Sequence, residues 1–245
     1  MLLLTGMATS LFLLVDRRLG HRLLRAMMMG TLQLAALGAL TWGLFFIDKW
    51  WVDIIWLLFM VAAITVFLQK QLCWGGRRLL LPIGGSVLTG ILTIGAYLLW
   101  TLTPDKPFLS HHLLLPVAGL LLAHLLVSVK QGMLAYLGSL RHTTEHRQYL
   151  LSCGATHMES VLPSARRALR AALMPSFRTM ASPAIISLPL VFCGMLMSGA
   201  SPIAAAITVW LLTAACFTAT IITLLVAFWL SDRQLFDQHD NLLAA

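Results

Sequence analysis

Charged residues are scarce in this sequence. Of its 245 residues only 11% are Asp, Glu, Lys or Arg, whereas roughly 25% is usual in soluble domains. Hydrophobic residues make up 59% of the chain, and they are grouped into runs about as long as a membrane-crossing helix. The composition excludes an ordinary soluble domain and predicts an all-α, polytopic integral membrane protein.

Acidic residues are especially few. Nine Asp and Glu stand against seventeen Lys and Arg, which gives a net charge of +8. A basic excess of this size can indicate a nucleic-acid partner, but here the basic residues lie between the apolar runs and form no basic domain. Membrane orientation explains them better, so no nucleic acid is predicted among the partners, which include membrane lipid.

The sequence also lacks the common motifs of enzymes and metal proteins. Its four cysteines are scattered without C-x-x-C spacing, which indicates neither a disulfide framework nor a zinc site. No H-E-x-x-H pair, Ser-His-Asp arrangement or pair of carboxylates at membrane depth is present, and no phosphate-binding loop G-x-x-x-x-G-K-[ST] occurs. We therefore predict a protein that is not itself an enzyme and binds no cofactor of its own.

Seven apolar runs are predicted to cross the membrane. They are Met1–Val15, Ala26–Ile47, Val52–Leu68, Leu79–Thr101, Leu113–Val129, Ala184–Met197 and Ile203–Leu230. The first run is shorter than the ~20 residues that a bilayer core requires. The sixth is short and interrupted by proline. With no internal repeat, residues 1–245 are predicted to form a single transmembrane domain.

The loops between these runs predict the orientation. Fifteen of the seventeen Lys and Arg residues fall on one side of the predicted membrane, and only Lys49 and Lys106 fall on the other. Because basic loops stay in the cytoplasm, the N-terminus is predicted outside and the C-terminus inside. The predicted location is a bacterial cytoplasmic (inner) membrane, which the chain crosses several times.

A polar segment at about 130–182 lies on the predicted cytoplasmic side. A helix containing Glu145 is predicted to break at Gly154, and Ala155 and Thr156 begin the next one. Thr156 is the expected N-cap, with Glu159 three residues later to complete a capping box. Pro163 is predicted to bend or end this short helix, and Ser164 is predicted to restart it.

Four motifs in this part of the chain resemble a known family of permeases. They are L-S-C-G-A-T ending at Thr156, R-A-A-L-M-P ending at Pro175, I-S-L-P ending at Pro189 and S-G-A-S-P ending at Pro202. The sequence resembles the permease family of Fet-type ABC transporters, which is linked to bacterial iron export and related to plant aluminium-tolerance permeases. The likeness touches most of the chain and is strongest from Leu151 onward.

This resemblance implies a permease that works with a separate ABC ATP-binding subunit, on which ATP and Mg²⁺ are bound, and that forms a homodimer. The segment from Gly154 to Pro163 would be the coupling helix that meets the ATPase. The implied ATPase-coupling residues are Glu145, Gly154, Ala155, Thr156, Glu159 and Pro163. Because Leu190, Val191 and Phe192 replace the family's G-M-M, its metal selectivity is not carried over.

Polar, soft and helix-breaking residues inside the predicted spans are candidates for a translocation path. They are Gln33, His124, Ser128, Ser187, Pro189, Cys193 and Met197. His124 stands where the resembling family has asparagine. Its imidazole either binds a transition metal or hydrogen-bonds a neighbouring helix. Gly194 and Gly199 are predicted to let another helix approach closely, within the chain or across a dimer.

The leading hypothesis is an ABC permease that exports a metal ion such as iron. Two alternatives stay open from the sequence. A divergent ABC permease for an organic or lipid-like solute would suit the apolar path. A non-transporting membrane scaffold or assembly protein would explain why the second to fifth spans lack charges.

Overall fold

The computed structural model describes residues 17–47, 50–72, 79–102, 111–181 and 190–235. Across these ranges the chain forms eight α-helices and no β-strand. The helices are α1 Arg17–Ile47, α2 Trp50–Leu72, α3 Leu80–Leu102, α4 His111–His142, α5 Thr144–Ser152, α6 His157–Ala181, α7 Leu190–Met197 and α8 Pro202–Leu235.

Five of these helices contain segments long and apolar enough to cross a membrane. The segments are Leu24–Gly43, Trp51–Leu72, Leu80–Thr101, Leu115–His142 and Pro202–Gln234. The prediction of a helical, multi-pass membrane protein is therefore confirmed, and five predicted spans coincide with these segments. The count of seven spans and the orientation of the termini stay predictions.

The two remaining predicted spans differ in how much of them is described. Met1–Val15 lies outside the described residues. Of Ala184–Met197, the structure describes α7, whose eight residues reach about 12 Å at 1.5 Å per residue. That length is well short of the ~30 Å hydrocarbon core, so α7 alone does not cross.

The chain divides into two compact units, Met1–Asp53 and Ile54–Ala245. In the N-terminal unit, α1 is a continuous helix whose apolar segment has no buried residue. In the C-terminal unit, α3 packs along α8 and α4 packs along α6, and these are the most extensive helix pairs. The prediction of a single transmembrane domain stays a prediction.

Close contacts fix the directions of the helices in the C-terminal unit. On α3, a Cβ atom added at Gly90 would lie 2.0 Å from Oγ1 of Thr223 on α8, and one at Gly85 would contact Leu230. Residue numbers rise along α3 where those of its contacts on α8 fall, so α3 and α8 are antiparallel. On α4, His124 lies against Phe217 and Tyr136 against Phe228, so α4 and α8 run parallel.

The amphipathic helix α6 packs antiparallel on α4. Its small residues Ser160, Ser164, Ala168 and Ala172 recur every fourth position and are all buried, so they share one helix face. Ser164 Oγ accepts a hydrogen bond of 3.1 Å from Ser139 Oγ on α4. Arg166, Arg167 and Arg170 are exposed.

Pro163 is predicted to bend or end a short helix, and Ser164 to start the next; an end at Pro163 and a new start at Ser164 are wrong. Both Pro163 and Pro175 lie inside the continuous helix α6. A proline removes one backbone donor from a helix, but packing on both sides of Pro163, by Val161 and Ser164, holds the helix against α4. Tertiary burial here outweighs the local helix-breaking tendency.

Candidate functional site

The turn between α5 and α6 is built around a glycine. Gly154 has φ +89°, a conformation that side chains other than hydrogen rarely tolerate. Its N–H donates to Leu151 O at 3.0 Å, and the N–H of Ala155 donates to Leu150 O at 3.1 Å. This pair of bonds is a Schellman motif, so the predicted glycine break is confirmed. Ala155 is half-buried.

Of the capping box predicted at the start of α6, the hydrogen bond between the N-cap N–H and the Glu159 carboxylate is confirmed. Thr156 immediately precedes the helix, and its N–H donates to a carboxylate oxygen of Glu159 at 2.8 Å. This hydrogen bond lowers the pKa of Glu159, because it stabilises the ionised carboxylate. Residues 144–163, which comprise α5, the turn and the first two turns of α6, are called the knob below.

The knob presents a mixed apolar and acidic surface. Tyr149 and Met158 are 65% and 64% exposed. Glu145, Glu159 and Pro163 are exposed as well. Large apolar side chains beside carboxylates, on a helix pair too polar to lie in the bilayer, are suited to contact with another protein.

Two residues of the knob, Arg147 and His157, belong to a cluster of polar side chains from four helices. Arg147 of α5 is only 2% exposed and Tyr136 of α4 is fully buried. The Tyr136 hydroxyl donates a hydrogen bond to Oδ1 of Asp232 on α8. Arg147, and His157 of α6, interact electrostatically with Asp232. The Tyr136 ring also stacks on Phe228 with centroids 4.4 Å apart.

Sequence reasoning missed this cluster. Tyr136 lies in an apolar helix and Asp232 follows a long apolar run. No sequence motif therefore links either residue to Arg147. The only available signal was an acid at the end of the last span. Its neighbour Arg233 is exposed and its guanidinium lies 4.0 Å from the centroid of the Trp229 ring, as expected for a residue at a membrane boundary.

A second candidate site is a cavity of about 270 Å³ between α4, α6, α7 and α8. Its lining residues are Leu120, His124, Ser176, Met180, Val191, Val209, Leu212, Thr213, Cys216 and Phe217. Within the described part of the chain, Nε2 of His124 is buried and has no hydrogen-bond partner. The imidazole meets Phe217 edge-on, with ring centroids 6.3 Å apart.

Of the five predicted path residues within the described ranges, His124 alone lines this cavity. Ser128 is buried one turn further along α4 but does not line it, and neither does Cys193, which is half-buried on α7. Met197 is 90% exposed, and Gln33 is exposed on α1 in the N-terminal unit. Ser187 and Pro189 lie outside the described residues.

The cavity offers little to a metal that needs several oxygen or nitrogen ligands. Among the described residues, no three His, Cys, Asp or Glu side chains come together. The cavity presents one imidazole from His124, one thiol from Cys216 and one thioether from Met180, which were not predicted as a group. Most of the remaining lining is apolar, so the cavity suits an apolar body with a single polar contact.

A second glycine turn joins α7 to α8. Gly199 has φ +87° and its N–H donates to Leu196 O, while the N–H of Ala200 donates to Met195 O. Ser201 then caps α8, accepting a 3.4 Å hydrogen bond from the N–H of Ala204. No described atom lies within 4 Å of a Cβ added at Gly194 or Gly199. Gly199 serves a turn, and a close approach of another helix to these glycines, within the chain or across a dimer, stays a prediction.

Comparison with known proteins gives the family. The chain is 25% identical over 248 residues to "UPF0014 membrane protein slr1647" of Synechocystis sp., an alignment that covers 99% of this chain and 94% of that protein. No solved structure is similar enough to be matched. The family described as "Uncharacterised protein family (UPF0014)" matches residues 1–236, and the chain, with its multi-pass helical fold, belongs to this family of membrane proteins.

Proposed function

We propose that this protein is the permease subunit of an ABC transporter, driven by a separate ATP-binding subunit, and that it exports a metal ion such as iron. The observation that carries the proposal is the knob. A short helix pair, joined by a glycine turn and capped at the start of α6, exposes apolar and acidic side chains at the end of a membrane bundle.

The proposed mechanism assigns each part of the chain a role. ATP and Mg²⁺ are bound by the partner, and closure of the ATPase pushes on the knob through the surface around Tyr149 and Met158. The push changes the packing of the bundle and switches the side to which it opens. Two copies of the permease and two ATPase subunits form the working assembly in a bacterial cytoplasmic membrane, with the knob and C-terminus inside.

The cavity supports a second candidate cargo. The resemblance favours a metal ion, and His124, Met180 and Cys216 are donors that soft transition metals accept. The apolar lining and the single buried imidazole favour an organic or lipid-like solute. Replacing His124 by Ala decides between them. For a metal cargo, we expect cells carrying His124→Ala to become more sensitive to that metal. Unchanged sensitivity to iron and to other transition metals favours the organic solute.

The first test of the proposal is co-purification of the tagged, full-length chain from its native membrane in mild detergent, followed by mass spectrometry of the bound proteins. We expect a stoichiometric ATP-binding subunit. A set of other membrane proteins without an ATPase would reject the permease and support a scaffold or assembly protein.

A pair of matched variants locates the contact. Met158→Asn changes an exposed methionine of the knob, whereas Met174→Asn makes the same change at an exposed methionine of α6 outside the knob. We expect Met158→Asn to reduce the yield of the ATP-binding subunit and Met174→Asn to leave it unchanged. Equal yields from both variants would move the docking site away from the knob.

A further inference from the structure

We infer that the buried polar cluster of Tyr136, Arg147, His157 and Asp232 fastens the knob to α8, so that the two move as one body. This cluster is called the latch below. Its four members come from α4, α5, α6 and α8: the Tyr136 hydroxyl donates to Asp232, and Arg147 and His157 act electrostatically on the Asp232 carboxyl group. The fastening itself does not depend on the proposed function.

The attachment of α5 depends on one residue. Arg147 is the only buried residue of this nine-residue helix. The rest of α5 is exposed or half-buried, so apolar burial contributes little to its position. A guanidinium removed from water must be compensated by opposite charge and hydrogen bonds. Asp232, which interacts with Arg147 electrostatically, supplies the opposite charge.

The position of Asp232 is fixed in turn from α4. The Tyr136 hydroxyl donates to its Oδ1, and the Tyr136 ring is held by stacking on Phe228, one turn before Asp232 on α8. A hydrogen bond from a neutral donor to a carboxylate is stronger than one between two neutral groups. The hydrogen bond therefore fixes the carboxyl group on which Arg147 and His157 act electrostatically.

The latch also gives a route from the knob to the cavity, and this consequence rests on the proposed function. Asp232 and Cys216 lie on the same helix, sixteen residues apart, which is about 24 Å at 1.5 Å per residue. Cys216, Thr213 and Val209 of α8 all line the cavity. A helix is stiff over this length, so a displacement of the knob that the latch transmits to α8 also moves one wall of the cavity.

Hydrogen exchange of the purified full-length chain tests the fastening. Tyr136→Phe removes only the hydroxyl and keeps the stacked ring, and Asp232→Asn removes the charge. Tyr97→Phe, at an exposed tyrosine of α3, is the matched control. We expect both latch variants to accelerate exchange in residues 144–163 by about tenfold or more, as for the loss of a hydrogen bond to a charged group.

The pattern of exchange separates a fastening from general stability. In the latch variants α2 and α3 should exchange as in the unaltered protein, and Tyr97→Phe should change nothing in the knob. Unchanged exchange in the knob of Tyr136→Phe and Asp232→Asn would overturn the inference. Acceleration of all helices together would overturn it too, since that outcome means loss of the fold and not release of the knob.

The route to the cavity has its own readout. In the complex with the co-purified ATP-binding subunit, the rate at which N-ethylmaleimide modifies Cys216 is measured by mass spectrometry of its peptide, with and without ATP. We expect ATP to change this rate in the unaltered protein and in Tyr97→Phe, and to lose its effect in Tyr136→Phe while the subunit stays bound. An ATP effect that persists in Tyr136→Phe overturns the route.

Absence of any ATP-binding subunit is a different outcome. It rejects the proposed function, and with it the route to the cavity. The exchange experiment on the isolated chain is unaffected by that result and still decides whether the latch fastens the knob.

Discussion

The turns at Gly154 and Gly199 have the same local structure and different surroundings. Each has a glycine with φ near +90°, two Schellman hydrogen bonds and an N-cap two residues later, at Thr156 and Ser201. The first turn joins α5 to α6, above a buried arginine and its acidic partner. The second joins α7 to α8, and no residue of α7 is buried.

The difference shows that one short motif produces one backbone geometry but not one function. Both turns read G-A followed by Ser or Thr, and both reverse the chain between two helices. Only the first carries an acid at the third helical position, Glu159, whereas the second has Ala204 there. Only the first rests on a polar cluster that ties it to another helix. Three predictions test this comparison.

The largest effect is expected from a change in the packing of α8, the helix that begins at the second turn and ends at the latch. A Cβ atom at Gly90 would lie 2.0 Å from Oγ1 of Thr223 and 3.5 Å from the backbone oxygen of Ala219. Because Thr223 Cβ and the Ala219 oxygen are also close, at 3.3 and 3.5 Å, either the Thr223 side chain changes rotamer or α3 and α8 move apart. We expect Gly90→Ala to lower the free energy of unfolding by about 1–3 kcal/mol, measured by denaturant titration in detergent.

The control for this change lies on the same helix. A Cβ atom at Gly95 would meet only Ile91 Cγ2, at an ordinary distance of 3.9 Å. Gly95→Ala should therefore be neutral, or stabilising by roughly 0.5–1 kcal/mol through the lower entropy of the unfolded chain. Equal destabilisation by the two variants would mean that the close approach of α3 and α8 is not what limits the packing.

The next largest effect is expected from replacing Gly154 and Gly199, each in a separate variant. At Gly154 and Gly199 a Cβ atom meets no described atom within 4 Å, so the cost of alanine is backbone strain alone. We expect Gly154→Ala and Gly199→Ala to lower the free energy of unfolding by similar amounts, about 1–2 kcal/mol each. The measurement is again denaturant titration of the purified chain.

We expect these two variants to differ in the coupling of ATP hydrolysis to transport although their stabilities are similar. Gly154→Ala, and a bulkier residue even more, should weaken the coupling of ATP hydrolysis to transport in the complex, with membrane insertion intact. Gly199→Ala should keep that coupling. Full coupling in Gly154→Ala at normal expression would remove the knob from the proposed mechanism.

The smallest effect concerns pH and distinguishes the caps of the two turns. The Thr156 N–H lowers the pKa of Glu159, so this hydrogen bond is fully formed above the ordinary glutamate pKa and is lost as pH falls through the lowered value. The cap of α8, in which the N–H of Ala204 donates to Ser201 Oγ, has no titrating group. Exchange protection at the start of α6 should fall in acid, while that at the start of α8 stays constant.

Glu159→Gln gives the control for the pH effect. Glutamine at this position completes a capping box without a carboxylate. Hydrogen-exchange protection at the start of α6 should therefore no longer vary with pH in this range. A pH response of the same size in Glu159→Gln would assign the titration to another group near the first turn.

Much of the local structure follows from the sequence. The apolar runs predict the five candidate spans, and Gly154 with the spacing of Thr156 and Glu159 predicts the turn and the cap. These features depend on residues within about four positions of each other, or on the length of one apolar run. Neither depends on which helices become neighbours.

The candidate sites were less predictable. Of the five path residues that the structure describes, only His124 lines the cavity, because which face of a helix borders a cavity depends on its neighbours. Pro163 lies inside a continuous helix, because burial of α6 against α4 outweighs the lost backbone donor.

The sequence by itself determined that this is a helical, multi-pass membrane protein with a capped, glycine-turned knob, since apolar length and backbone chemistry are local properties. Only the tertiary structure decided that Arg147, within the knob, is buried and that Tyr136 meets Asp232 across 96 positions of sequence. A buried charge is stable only beside its partner, and the packing of four helices, not the order of residues, brings those partners together.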